Sequence, residues 1–255
     1  MKQTNASHIS GKKAPSARMA ENAASALPRY YDALFATLGP RKWWPANTPF
    51  EVIVGAILTQ NTAWVNVERA MENLRRERML SARSIDRAPV GKLERLVRPS
   101  GYFRQKAKKL KAFTQFLHAN YAGCLPRMFR TPASQLREKL LAVHGIGPET
   151  ADSILLYAGR YPVFVVDAYT RRILERHALT QGRLSYEEIR SLFETSLPRD
   201  TQLYNEFHAL IVEAGKRWCR TKNPRCEECP LRPFLPTAMA VPAAEKSAAL
   251  VEVQP

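Results

Sequence analysis

Apolar side chains recur every three or four residues along most of this chain, the spacing of amphipathic helices. Tyr30, Tyr31, Leu34, Phe35 and Leu38 share one side of a first predicted helix, Leu27 to Leu38, which Gly39-Pro40 ends. Phe50 to Leu58 is apolar almost all round. That predicts a helix buried on every side, although its length would also suit a strand. Thr59-Gln60-Asn61-Thr62 offers a polar break and a helix N-cap. Val65, Met71 and Leu74 then continue on a helix whose far side carries Arg69, Arg75, Arg76 and Arg78. Leu93 to Val97 predicts a short helix closed by Pro99 and Gly101. Over 105–118, Ala107, Leu110, Phe113 and Leu117 face inward, while Lys106, Lys108, Lys109 and Lys111 face outward or lie at the edge. Leu136, Leu140 and Val143 form one further stripe, and Ala151, Ile154, Leu155 and Ala158 another. Tyr169 to His177, Tyr186 to Leu197 and Gln202 to Gly215 predict three more helices. Only Pro162 to Val166 reads as extended. The fold class is all-α, with no fixed-period repeat.

Gly145-Ile146-Gly147 lies between two of these stripes. Two glycines let the backbone take positive φ and let another backbone come close. Pro148 suits the first position of the following helix. The N–H groups of Gly147, Glu149 and Thr150 would then point outward at a helix N-terminus, which is an anion site, and phosphate is the obvious anion. The same residues would also serve a plain tight turn between packed helices. Asp167 follows Val163 to Val166 and precedes a helix beginning near Ala168, where it is a natural N-cap. A catalytic Asp there would need a partly dry site facing a bound nucleotide. It could then activate water and stabilise an oxocarbenium-like sugar as a base leaves.

With 255 residues the chain has ample length for a core, in one large domain or two small ones. Its 39 Lys and Arg against 23 Asp and Glu leave a net charge of +16, which points to a polyanionic partner rather than only a soluble basic surface. The longest apolar run, Val52 to Leu58, is far short of a membrane span, and the N-terminus has no apolar signal region. A cytoplasmic address is expected. Residues 1–24 read as a disordered basic tail and residues 236–255 as a second, Ala- and Pro-rich one. Cys219, Cys226 and Cys229 have the close spacing that suits an iron–sulfur cluster or zinc. A fourth ligand is wanting: residues 230–255 hold no Cys or His, Cys124 is distant, and His208 is the alternative donor.

Taken together, Gly145-Ile146-Gly147 with Thr150-Ala151, Val166-Asp167 and the cysteine trio resemble the helix-hairpin-helix (HhH-GPD) DNA glycosylase superfamily, in its endonuclease III branch, over about Leu27 to Leu231. The resemblance implies an all-α fold of two helical domains with a DNA-binding cleft between them. A six-helix domain, 47–161, would carry the central helix-hairpin-helix, and 25–46 with 162–232 would form the domain bearing the cysteine loop. It implies that Asp167 is catalytic and that Gly145, Gly147, Glu149 and Thr150 meet DNA. Leu58-Thr59-Gln60-Asn61-Thr62 resembles the segment whose Gln enters the duplex and fills the space of the extruded base. Cys219, Cys226 and Cys229 match three of four [4Fe-4S] ligands, but Leu235 stands at the fourth position, which leaves the cluster open. Glu149 stands where bifunctional members carry a Lys nucleophile. A carboxylate cannot form a Schiff base, so the resemblance implies a monofunctional enzyme.

Within the superfamily, Trp43-Trp44-Pro45 with Phe50-Glu51 is most similar to the endonuclease III-like 3-methyladenine DNA glycosylases. That implies a base pocket of Trp43, Trp44, Pro45 and Phe50, in which electron-rich rings hold a cationic purine. The expected protein is a monomeric hydrolase of base excision repair. It would act on double-stranded DNA with a damaged base and would be cytoplasmic, nucleoid-associated and bacterial in type. Two alternatives stay open: a glycosylase/AP lyase on oxidised pyrimidines, and a non-catalytic helix-hairpin-helix DNA-binding module. Tyr157 and Tyr169 flank the site in sequence without an assigned role.

Overall fold

The computed structural model describes residues 17–41, 43–180, 182 and 184–236. Among them there is no strand, and no helix is long and apolar enough to cross a membrane. Twelve α-helices follow one another: α1 Ala17–Leu38, α2 Pro49–Leu58, α3 Trp64–Arg76, α4 Ala82–Arg87, α5 Val90–Val97 and α6 Phe103–Tyr121, then α7 Leu125–Met128, α8 Ala133–Leu141, α9 Pro148–Ser153, α10 Ala168–Arg176, α11 Tyr186–Ser196 and α12 Thr201–Arg217. A π-helical segment, Ile154–Ala158, continues α9. The buried side chains form two clusters. One is built from α2 through α9; the other from α1, the extended Phe164 to Val166, and α10 to α12. Leu155 belongs to the first cluster and its neighbour Leu156 to the second. The π segment is therefore the seam between the two cores.

Local chemistry explains the elements that hold the site. Thr48 caps α2 by accepting from Glu51 N, and Pro49 occupies its first turn. Those signals decide between helix and strand where the apolar run could not. α2 is then buried on every side against the π segment, α3, α6 and α9. α1 begins earlier than predicted. Residues 17–24, expected as part of the basic tail, are helical, because alanine favours helix and Ala23 joins Leu27, Tyr30 and Leu34 as a stripe buried in the second core. The rest of that tail and residues 237–255 lie outside the described residues. Thr62 does not cap α3. Ala63 holds the cap position with no side-chain bond, and Asn61 takes a left-handed φ of 53°, so Gln60 and Asn61 make a tight turn.

The lysines of α6 are a second correction. Only Lys108 is plainly exposed. Lys106 is 1% exposed, and its Nζ donates to Leu58 O (2.8 Å) and Ser100 O (2.5 Å). A flexible four-carbon stem lets the ammonium reach the last carbonyls of α2, which have no partner within their own helix. It thereby ties the turn after α2 to the turn before α6. Burial, with the charge of Lys109 beside it, pulls Lys106 down from 10.5 to about 8. In the unfolded chain the ordinary value returns. Between pH 8 and 10.5 the unfolded state therefore binds a proton that the folded state does not, and stability should rise with pH across that window, by at most about 3 kcal/mol. Urea midpoints at about pH 7.5 and pH 10 check this, and Lys106→Met should lack the rise.

Candidate active site

The hairpin between α8 and α9 turns on Val143 O, which accepts from Ile146 N, and on Gly145, whose φ is +81°. A Cβ on Gly145 would meet the Lys109 stem at 2.4 Å, so glycine is required there twice over. Gly147 differs from expectation. Its φ is −94°, and nothing lies within 4 Å of where a Cβ would stand. Its missing side chain leaves bare surface over the amides of Gly147, Glu149 and Thr150, which precede the first intrahelical bond, Ala151 N to Gly147 O at 2.9 Å. Thr150 contributes only its backbone to that surface. Its side chain is buried, and its Oγ1 accepts from Gln60 Nε2 at 2.9 Å.

Gln60 is held from three sides. Nε2 also donates to Gly145 O (3.0 Å), and Oε1 accepts from Lys109 Nζ (2.5 Å). The Gln60 turn is thus braced on the hairpin itself. On the turn that Lys106 ties to the end of α2 stands Tyr102, 65% exposed and in left-handed conformation (φ 45°). No periodicity marked it, because its exposure depends on the turn that presents it.

Asp167 caps α10: its Oδ1 accepts from Thr170 N (2.8 Å) and Thr170 Oγ1 (2.9 Å). Oδ2 faces His208 Nε2 of α12 at 3.6 Å. His208 Nδ1 in turn shares a hydrogen bond with the Tyr157 hydroxyl at 2.5 Å. Glu149 approaches the same carboxylate from α9. Crowding by protein atoms and then the charge of Asp167 push it up to about 7, against the pull of Arg171. Glu149 keeps an open face to solvent all the same, so it lies in a crevice rather than a closed core. The Asp167 carboxylate and the His208 imidazole thus meet at the seam between the cores, with Glu149 near enough to feel the Asp167 charge.

Tyr157 also joins this group to an aromatic wall. Its ring is 5.2 Å from that of Trp44, Trp44 is 5.1 Å from Trp64, and Trp43 is 5.3 and 5.5 Å from the two. The Lys216 ammonium lies 5.7 Å over the Trp43 ring. Gly55 lets Trp44 lie on α2, since a Cβ there would come within 3.2 Å of the indole. A cavity of about 630 Å³ opens beside the wall, lined by Trp44, Pro45, Trp64, Glu51 and Glu68 among others. Neither Asp167 nor Tyr157 lines it. Phe50, expected in the pocket, is 7% exposed within the first core: it sits in the first turn of a helix with no solvent face. Trp64, Tyr157 and His208 were not placed here from the sequence. They come from three elements distant along the chain, and only packing unites them.

The cysteine loop bears on the cluster that the sequence left open. Cys219, Cys226 and Cys229 are free thiols around a small cavity shared with Leu235, His177 and Arg176. Arg176 Nη1 donates to Cys219 Sγ (3.2 Å), and burial pushes the Cys229 thiol up to about 11. The apolar Leu235 supplies no donor. His177 Nδ1 is taken by the Tyr30 hydroxyl (2.8 Å), Cys124 is exposed at the start of α7, and His208 lies in the Asp167 site instead. Among the described residues no group of three or more Cys, His, Asp or Glu is arranged to hold a metal ion. This donor set does not fit a cluster that needs four thiolates.

Known proteins share this architecture. The HhH-GPD superfamily of base excision DNA repair proteins matches residues 54–199. The chain is 46% identical over 218 residues to an inferred DNA repair glycosylase of Methanocaldococcus jannaschii, covering 85% of this chain and 98% of that one. It is 31% identical over 184 residues to endonuclease III of Thermotoga maritima, covering 72% and 81%. Among solved structures it is similar to a 3-methyladenine DNA glycosylase of H. pylori bound to 1,N6-ethenoadenine. There the TM-score is 0.67 and the identity 30%, over 76% of this chain and 97% of that one. A trapped endonuclease III–DNA covalent intermediate has the same fold, with TM-score 0.72 and 20% identity over 83% and 95% of the two chains.

Proposed function

The chain belongs to the HhH-GPD superfamily of base excision DNA repair proteins and is a DNA glycosylase, and from that premise we propose that it is monofunctional and releases alkylated purines. The observation that carries the first part is Glu149, an acid beside the Asp167 carboxylate at the start of α9. No Schiff base can form there. Lys106 is buried on two carbonyls and Lys109 is engaged on Gln60, so neither offers a free amine to the site. Water is then the nucleophile.

The second part is supported by the indole wall beside the cavity, since Arg75 already pairs with the Glu51 and Glu72 carboxylates there and leaves the rings as what would attract a cation. An alkylated purine is cationic, so its glycosidic bond is weak and its flat face is drawn to indoles. The likeness to a structure of a 3-methyladenine glycosylase supports the same choice. On this reading residues 47–161 form one domain and 25–46 with 162–232 the other, the latter extended back to Ala17 by α1, with duplex DNA in the cleft between them. The amides of Gly147, Glu149 and Thr150 hold a phosphate. Gln60 fills the space left as the damaged nucleotide turns outward. The base parts the rings of Trp43, Trp44 and Trp64 to enter. Asp167 stabilises the oxocarbenium-like sugar and orients the attacking water.

Two measurements test this. Incubated with abasic-site DNA and borohydride, the protein should give no covalent complex, and a trapped complex would refute the monofunctional assignment. A panel of damaged duplexes scored for free base should show release of 3-methyladenine or 7-methylguanine and none of oxidised pyrimidines. Release of oxidised pyrimidines alone would overturn the substrate class.

A further inference from the structure

His208 was the alternative fourth donor for the cysteine loop, yet it sits elsewhere, 6% exposed, between Tyr157 and Asp167. From this placement we infer that His208 and Tyr157 are positioning residues for the catalytic carboxylate: Tyr157 fixes the imidazole with its Nε2–H aimed at Asp167 Oδ2, and that N–H sets the direction of the free oxygen. The inference rests on Asp167 being the catalytic acid of the proposed reaction.

The geometry allows one tautomer. Tyr157 must either donate to His208 Nδ1 or accept from it, at 2.5 Å. If it accepted, the Nε2 lone pair would face the Asp167 carboxylate, and two regions of negative charge would be buried together. If it donates, Nε2 carries the proton and faces an acceptor. The surroundings agree. Burial and the nearby Asp167 charge hold the Tyr157 phenol well above its ordinary range, so it keeps a proton to donate. Burial lowers His208 below its ordinary value despite the carboxylate, so the ring is neutral. Phe164 lies edge-on to the imidazole at 6.4 Å between ring centroids.

Among the described residues His208 Nε2 is buried without a hydrogen-bond partner, and 3.6 Å is too long for a bond to Oδ2. A buried unmade bond is costly, and a shift of well under 1 Å would make it. Asp167 has freedom only at that oxygen, because Thr170 already holds Oδ1 twice. At its other end the relay touches Trp44 through the Tyr157 ring. The aromatic wall and the catalytic carboxylate are thus joined by contacts from Trp44 through Tyr157 and His208 to Asp167.

Single-turnover base release at saturating DNA, with DNA affinity measured separately, tests the role. His208→Leu should slow release about 10²-fold and leave DNA affinity unchanged. His208→Gln places an amide N–H near the position of Nε2 and should recover the rate to within about tenfold. Equal rates for Leu and Gln variants, or a loss carried entirely by DNA affinity, would overturn the inference. A readout independent of activity comes from ¹⁵N spectra of the imidazoles in the wild-type protein, assigned by loss of one signal in His208→Gln. The expected form is neutral with the proton on Nε2. A proton on Nδ1, or an imidazolium at neutral pH, would sink the relay. Should the wild type release no base from any duplex, the substrate reading fails, and the spectra still decide the tautomer.

Discussion

Asp167→Asn lowers the single-turnover rate of base release by about 10³-fold, the range expected when a charge aimed at a developing cation is removed. The substitution is a clean one for a physical reason. Asp167 does two things, capping α10 through Oδ1 and presenting Oδ2 to the seam between the cores. Asn is as good an N-cap as Asp, and its side-chain oxygen can still accept from Thr170 N. The cap survives while the charge goes. The melting temperature should therefore stay close to that of the wild type, and the amides of the hairpin should bind duplex DNA as before. Undiminished release by the Asn variant would reduce Asp167 to a capping residue.

The largest expected effect on stability lies at Asp152, whose carboxylate is 0% exposed. Arg137 of α8 donates to it twice, Nε to Oδ1 at 2.6 Å and Nη2 to Oδ2 at 3.0 Å, and also reaches Glu187 of α11 at 2.7 Å. Arg190 lies 3.7 Å from Oδ2. The network thus ties the first core to the second across the π segment. Burial raises Asp152 above its ordinary value, and Arg137 and Arg190 pull it back. Removing one partner of a buried pair leaves the other desolvated and uncompensated, so Asp152→Ala should cost about 3–5 kcal/mol. Urea denaturation measures it, and a loss under about 1 kcal/mol would show that the pair is not holding the two cores together. Arg137→Met with Asp152→Ala should recover part of the loss, because the Arg137 charge is then no longer left buried without its partner, while Arg190 keeps Glu187.

How much of this was legible beforehand follows from what each feature depends on. The helices were, because a stripe of buried side chains is a property of spacing along one segment: Ala107, Leu110, Phe113 and Leu117 face the core as their positions require. The Asp167 cap was legible for the same reason, since it needs only its own next turn. Composition misled at residues 17–24, where alanine was read as tail and is helix. Periodicity misled at Lys106, because a helix face says nothing of what a flexible ammonium can reach.

By itself, the sequence determined the all-α class, the turn at Gly145 and the acid at the head of α10. Each of these depends on residues within a few positions of one another, so local sterics and hydrogen bonding suffice. Only the tertiary structure decided the rest: that Phe50 is core while Trp64 stands on the wall, that Gln60 is clamped by Lys109 and the hairpin, and that His208 serves Asp167 and not the cysteines. The reason is common to all three. A side chain's surroundings at the seam between two cores are set by elements far apart along the chain, and no spacing rule within one segment encodes which of them will meet.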